Sequence, residues 1–128
     1  ETVLVFPQHR AFLGGLDGLV ARLPALRRQL LEKKIVVEAE SVEDGLALAR
    51  AGVDILQFDK LSPETLRAVV PEARALAPMI LLLAAGGIDR DNVAAYAASG
   101  VDGLVTSWPY FGPPADVAVT LAPVAAAA

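Results

Sequence analysis

The chain has 128 residues, 55% of them hydrophobic and 20% charged, a formal net charge of −4 and no cysteine. That apolar content is enough for one core in one domain and excludes disorder over most of the length. The negative balance excludes a general affinity for nucleic acid and leaves room only for a small local anion pocket. The lack of cysteine excludes disulfides and thiolate zinc sites and fits a reducing cytoplasm.

The chain opens without methionine, inside a strand-like run, Thr2-Val3-Leu4-Val5-Phe6, so an upstream part is expected to be missing. Strands are predicted at Thr2 to Phe6, Lys34 to Ala39, Ile55 to Phe58, Met79 to Ala84, Gly103 to Thr106 and Val117 to Leu121, as Val/Ile/Leu-rich runs of the kind buried on both faces of a parallel sheet. Helices are predicted between them. The first runs from Leu16 to Glu32, with Leu19, Leu23, Leu26 and Leu30 at helical spacing and Pro24 as a point of splitting or kinking.

The second starts at the N-cap Ser41 and ends at Gly52; Ser62-Pro63 opens the third. Asp89 is read as the cap of the fourth, which closes at Gly100. Ala51-Gly52-Val53-Asp54 and Ser99-Gly100-Val101-Asp102 are near repeats that point to repeated βα units. The fold class expected is α/β, a partial (β/α) barrel of about five to six parallel strands with outer helices. Residues 1–122 would form the C-terminal part of the barrel domain and 123–128 an alanine-rich tail. Met79 to Ala85, the longest apolar run, is far short of the ~20 residues that span a membrane, and no leader pattern opens the chain, so a soluble protein is expected.

A parallel barrel gathers its chemistry at the C-terminal ends of its strands. Glu38 and Asp59 end two of the predicted strands, and a carboxylate pair there can hold Mg²⁺ or accept hydrogen bonds from ribose hydroxyls. Gln57 shares the face of Asp59 by period two and either bonds a ligand or fills the barrel. His9 stands in a predicted loop after the first strand, and Lys60 either meets a phosphate or caps a carbonyl. Ala85-Gly86-Gly87 joins a strand to a helix start through a turn suited to phosphate, and Thr106-Ser107 offers two hydroxyls after the next strand. Trp108 to Phe111 is either an apolar wall for an aromatic ring or a closure and dimer contact.

Lys34-Ile35-Val36-Val37-Glu38, the tract Ala51 to Pro63, Ala84-Ala85-Gly86-Gly87-Ile88 and Pro113-Pro114-Ala115-Asp116 resemble the C-terminal barrel of the quinolinate phosphoribosyltransferase (nicotinate-nucleotide pyrophosphorylase) family. Phe58-Asp59-Lys60 and Val105 to Phe111 are most similar to its ModD branch, pyrophosphorylase-like proteins associated with molybdenum transport. The resemblance implies transfer of phosphoribose between phosphoribosyl pyrophosphate and a nitrogenous aromatic acid, with Mg²⁺ as cofactor. It implies Glu38 and Asp59 at ribose and metal, Gly86 and Gly87 at phosphate, and Ser107 near a second phosphate loop. It also implies an N-terminal domain that this chain lacks and pairing into a homodimer or higher, and hence a chain inactive by itself. Three positions depart from the family pattern: Phe6 replaces a lysine, Ala85 a serine and Lys60 an asparagine. The alternative reading is a non-catalytic phosphate- or nucleotide-binding barrel linked to molybdenum transport.

Overall fold

The computed structural model describes residues 2–123. Its elements run β1 (Val3–Val5), α1 (Pro7–Ala11), α2 (Gly15–Gln29), β2 (Ile35–Ala39), α3 (Val42–Ala51), β3 (Ile55–Asp59), α4 (Pro63–Leu76), β4 (Leu81–Ala85), α5 (Val93–Ala97), β5 (Gly103–Val105) and α6 (Trp108–Phe111). All five strands lie parallel in one sheet, in sequential order. Right-handed crossovers between successive parallel neighbours place the helices on a common face, the arrangement of consecutive barrel strands.

Alternate strand residues serve two different surfaces. Val5, Ile35, Val37, Ala39, Leu56, Phe58, Leu82 and Ala84 form one hydrophobic cluster with Leu19 and Leu23 of α2, Leu48 and Ala49 of α3, and Leu66, Val69 and Ala73 of α4. Gly45 makes part of this packing possible, because a Cβ there would sit 2.3 Å from the Phe58 ring. The register lines the opposite, inner face with Leu4, Val36 and Glu38, then Ile55, Gln57 and Asp59, then Leu81, Leu83 and Ala85, then Gly103 and Val105. Leu4, Leu81 and Val105 on that face are exposed.

Ser41 and Ser62 cap α3 and α4 as their sequences demand, accepting from the Asp44 and Thr65 amides at 3.1 and 3.2 Å. Pro24 does not split its helix: α2 passes through it, as α4 passes through Pro71. Helix α5 is shorter than expected. The Asp89 side chain caps a turn by accepting from Asp91 and Asn92, and the α-helix begins only at Val93.

No strand forms at Val117 to Leu121, where Val117, Val119 and Leu121 are exposed. A parallel neighbour needs a crossover of about a dozen residues or more. The stretch after Val105, occupied by the four residues of α6 and by Pro113-Pro114, is too short to return the chain to the same end of the sheet. Of the predicted tail, residues 124–128 lie outside the described residues, as does Glu1. Among the described residues no helix is long and apolar enough to cross a membrane.

The two near repeats build matching clasps at the N-terminal end of the sheet. Asp54 accepts the Ile35 amide at 2.8 Å and the Arg27 guanidinium at 3.2 Å, and Arg27 also donates to the Gly52 carbonyl. Asp102 accepts the Leu82 amide at 2.7 Å and Arg74 at 2.9 Å, and Arg74 reaches the Gly100 carbonyl. Gly52 and Gly100 both take the left-handed backbone that lets a helix turn into the following strand.

Candidate functional site

Glu38 and Gln57 are direct cross-strand neighbours on the inner face, and Gln57 Nε2 donates to Glu38 Oε2 at 2.8 Å. An ionised carboxylate only accepts, so this bond fixes the orientation of the amide. Gln57 is buried and Glu38 half-buried. Burial pushes the Glu38 carboxyl above the usual carboxylate range; the Gln57 bond opposes this, while the charges of Asp59 and Glu40 add to it.

Asp59 ends β3 on the same face and is paired across the sheet with Ala85. Its Oδ2 lies 3.3 Å from Lys60 Nζ, and Oδ1 is 2.5 Å from where a Cβ on Gly86 would stand. Glycine at 86 is therefore required twice over, by that approach and by its φ of +85°. Lys60 is itself in the left-handed region, at φ +57°, with its amide bonded to the Ala85 carbonyl at 2.8 Å. A non-glycine residue held there is uncommon and marks a strand end fixed by its surroundings.

The glycine turn opens onto a cleft of about 480 Å³ lined by Ala85 to Asp89 and by Val105, Thr106, Ser107, Trp108 and Phe111. The structure thus brings Ala85, Gly86, Gly87, Thr106 and Ser107 together, beside Asp59 and Lys60. Trp108 and Phe111 line the same cleft from its exposed rim, and Tyr110, also exposed, is not among its lining residues.

His9 is not in this group. It lies in α1, a short helix where a loop was expected, and its Nδ1 accepts the Phe6 amide at 3.0 Å, so the proton of the neutral ring is on Nε2. It is exposed, and no hydrogen bond or ion pair among the described residues links it to Glu38, Gln57 or Asp59. Two residues that sequence reading passed over are structurally central. Arg10, 7% exposed, binds Asp44 at 2.8 Å and ties α1 to the first turn of α3. Asn92 donates to the Gly87 carbonyl at 2.9 Å and holds the glycine turn from below. Arg10 stood four residues past a predicted strand end, and nothing in the sequence pointed to its partner 34 positions away.

The profile of the family described as "Quinolinate phosphoribosyl transferase, C-terminal domain" matches residues 1–119. The chain is 40% identical over 125 residues to a "Putative pyrophosphorylase ModD" of Escherichia coli O157:H7, covering 98% of this chain and 44% of that protein. It is 35% identical over 104 residues to a "Probable nicotinate-nucleotide pyrophosphorylase [carboxylating]" of Methanothermobacter thermautotrophicus, covering 80% of this chain and 37% of that one. The fold superposes on the nicotinate-nucleotide pyrophosphorylase from Francisella tularensis with a TM-score of 0.69 at 26% identity, over 80% of this chain and 35% of the other. The chain spans less than half the length of these relatives. With parallel strands in barrel order, carboxylates and a glycine turn at their C-terminal ends and the family profile matched over nearly the whole length, the chain belongs to the quinolinate phosphoribosyl transferase family through its C-terminal domain.

Proposed function

We propose that this domain serves a phosphoribosyltransferase of the pyrophosphorylase type, which moves phosphoribose between phosphoribosyl pyrophosphate and a nitrogenous aromatic acid. A bond forms between the acceptor nitrogen and ribose C1, the bond from C1 to the pyrophosphate oxygen breaks, and its electron pair leaves with pyrophosphate. The observation that carries the reading is the contact of the two halves of the site: Asp59 Oδ1 packs against Gly86, so carboxylates for a ribosyl ring lie beside a turn for its phosphates. Positive charge developing on the ribosyl ring is stabilised by Glu38 and Asp59, held at fixed positions by Gln57 and Lys60. The Gly86-Gly87 backbone and Ser107 bind phosphate oxygens, and Lys60 adds a cation at their edge.

The donor set suits Mg²⁺: two hard carboxylates on one face, where burial first and the charge of Asp59 after it raise the Glu38 pKa, and a cation would offset both. Glu38 and Asp59 would hold it, and when bound it would neutralise charge on the departing pyrophosphate. The uncovered Leu4, Leu81 and Val105 on the inner face support action within a larger assembly, a homodimer or higher, and the cysteine-free composition supports a cytoplasmic setting.

Calorimetric titration with phosphoribosyl pyrophosphate and Mg²⁺, beside the Glu38→Gln, Asp59→Asn double variant, tests the proposal. Mg²⁺-dependent binding lost in the variant is expected; equal binding by both proteins refutes it. The second reading, a phosphate- or nucleotide-binding barrel without catalysis in molybdenum transport, draws on Phe6 where the family pattern has lysine. Binding without pyrophosphate release from any aromatic acid acceptor by the complete protein would favour it.

A further inference from the structure

Thr106 looks from sequence like a hydroxyl offered to phosphate, but its hydrogen bonds say otherwise. Its Oγ1 donates to the Ile88 carbonyl and accepts the Trp108 amide at 3.1 Å. A threonine hydroxyl has one proton, and that proton is directed at Ile88, leaving none for an anion. Ile88 directly follows the Gly86-Gly87 turn and Trp108 directly follows Ser107, so one side chain connects the two segments that wall the cleft. Asn92 completes the arrangement from the other side. Its Nδ2 holds the Gly87 carbonyl at 2.9 Å while its Oδ1 accepts the Asp89 amide at 2.9 Å. Two successive carbonyls of the turn, Gly87 and Ile88, are each bonded to a side-chain donor. A carbonyl swung toward an anion would repel it, and these bonds prevent that swing.

From this geometry we infer that Thr106 is a positioning residue and not a phosphate ligand: its hydroxyl latches the glycine turn to the Ser107-Trp108 turn and sets the spacing of the anion cleft. The inference rests on the phosphate reading of that cleft for its functional consequence, and on the two hydrogen bonds alone for the latch. Ser107, with no side-chain cap bond to α6, remains the hydroxyl available to a ligand.

The test compares Thr106→Val, which keeps the shape and removes the hydroxyl, with Thr106→Ser, which keeps the hydroxyl and removes the methyl. Inorganic phosphate is titrated into each full chain, and amide exchange is followed at Trp108. Thr106→Val is expected to weaken phosphate binding about tenfold, the effect of one positioning hydrogen bond, and to speed Trp108 exchange by a similar factor. Thr106→Ser is expected to restore both to wild-type values. Wild-type exchange at Trp108 in Thr106→Val overturns the latch, and so does failure of Thr106→Ser to restore it. If Trp108 loses protection in Thr106→Val but the wild type binds no phosphate, the latch stands and the phosphate reading of the cleft falls.

Discussion

Gly86 and Gly87 offer a paired test of how tightly the two halves of the site are joined. Both have positive φ, +85° and +71°, so alanine at either position carries a backbone penalty of about 1 kcal/mol. Their surroundings differ sharply. A Cβ on Gly87 meets nothing within 4 Å, whereas one on Gly86 meets Asp59 Oδ1 and Lys60 Cγ at 2.5 Å and the Lys60 amide nitrogen at 2.9 Å. The lysine chain can swing away. The Lys60 nitrogen cannot, because it is bonded to the Ala85 carbonyl, and Asp59 belongs to the end of β3. Overpacking of this kind adds about 1–3 kcal/mol, so Gly86→Ala should destabilise by about 2–4 kcal/mol and Gly87→Ala by about 1. Urea unfolding of the two variants beside wild type reads the difference. With slopes of about 1–3 kcal/mol per molar, the midpoints of the two alanine variants should separate by roughly 1 M. Equal midpoints would mean that the strand ends yield freely, and the argument for a fixed junction between carboxylates and glycine turn would fail.

Three further outcomes are expected. Glu38, its pKa raised by burial, binds more protons folded than unfolded, so its contribution to stability is full below the unfolded value near 4.5 and declines as pH rises through the folded value. Denaturant titrations from pH 4 to 8 should therefore show Glu38→Gln gaining on wild type toward the alkaline end, and a parallel pair of curves would contradict this. Asp102 behaves oppositely: burial works against its charge, but the Leu82 amide and Arg74 outweigh it and hold the pKa low. Asp102→Asn should lose about 1–2 kcal/mol at neutral pH, and the gap to wild type should close as pH falls below the usual aspartate value; thermal melts at pH 7 and 3 measure it. Arg10→Met should destabilise by about 2–4 kcal/mol, because Asp44 is left half-buried without its cation, and Arg10→Met with Asp44→Leu should recover part of the loss in a double-mutant cycle.

What the sequence disclosed and what it hid follow from the range of the interactions involved. The buried strands were legible because β-branched runs have few other uses, and the carboxylates Glu38 and Asp59 were legible because a strand's period places its last residues on a known face. Ser41 and Ser62-Pro63 were legible because capping is local. Helix α1 was missed because five residues carry no periodicity and its bond to the Phe6 amide comes from a histidine ring. The Val117 to Leu121 run has strand composition but follows β5 after a connection too short for a parallel crossover, which composition does not encode. The partners of Arg10 and Thr106 lie on other elements, so their roles became visible only when those segments were set side by side, whereas Asn92 bonds within its own loop, whose conformation no periodicity announces.

The Arg27 and Arg74 clasps have a consequence for how such a protein can change. The same sequence interval separates Pro24 from Pro71, Arg27 from Arg74 and Ile35 from Leu82, so each half of the sheet is framed at its N-terminal end by one and the same device. At the other end the halves share almost nothing: β2 and β3 finish with carboxylates, β4 with glycines and β5 with hydroxyls. Persistence of shape and invention of chemistry are thereby assigned to opposite poles of the molecule, and selection can rewrite one pole while the other continues to guarantee that the chain folds.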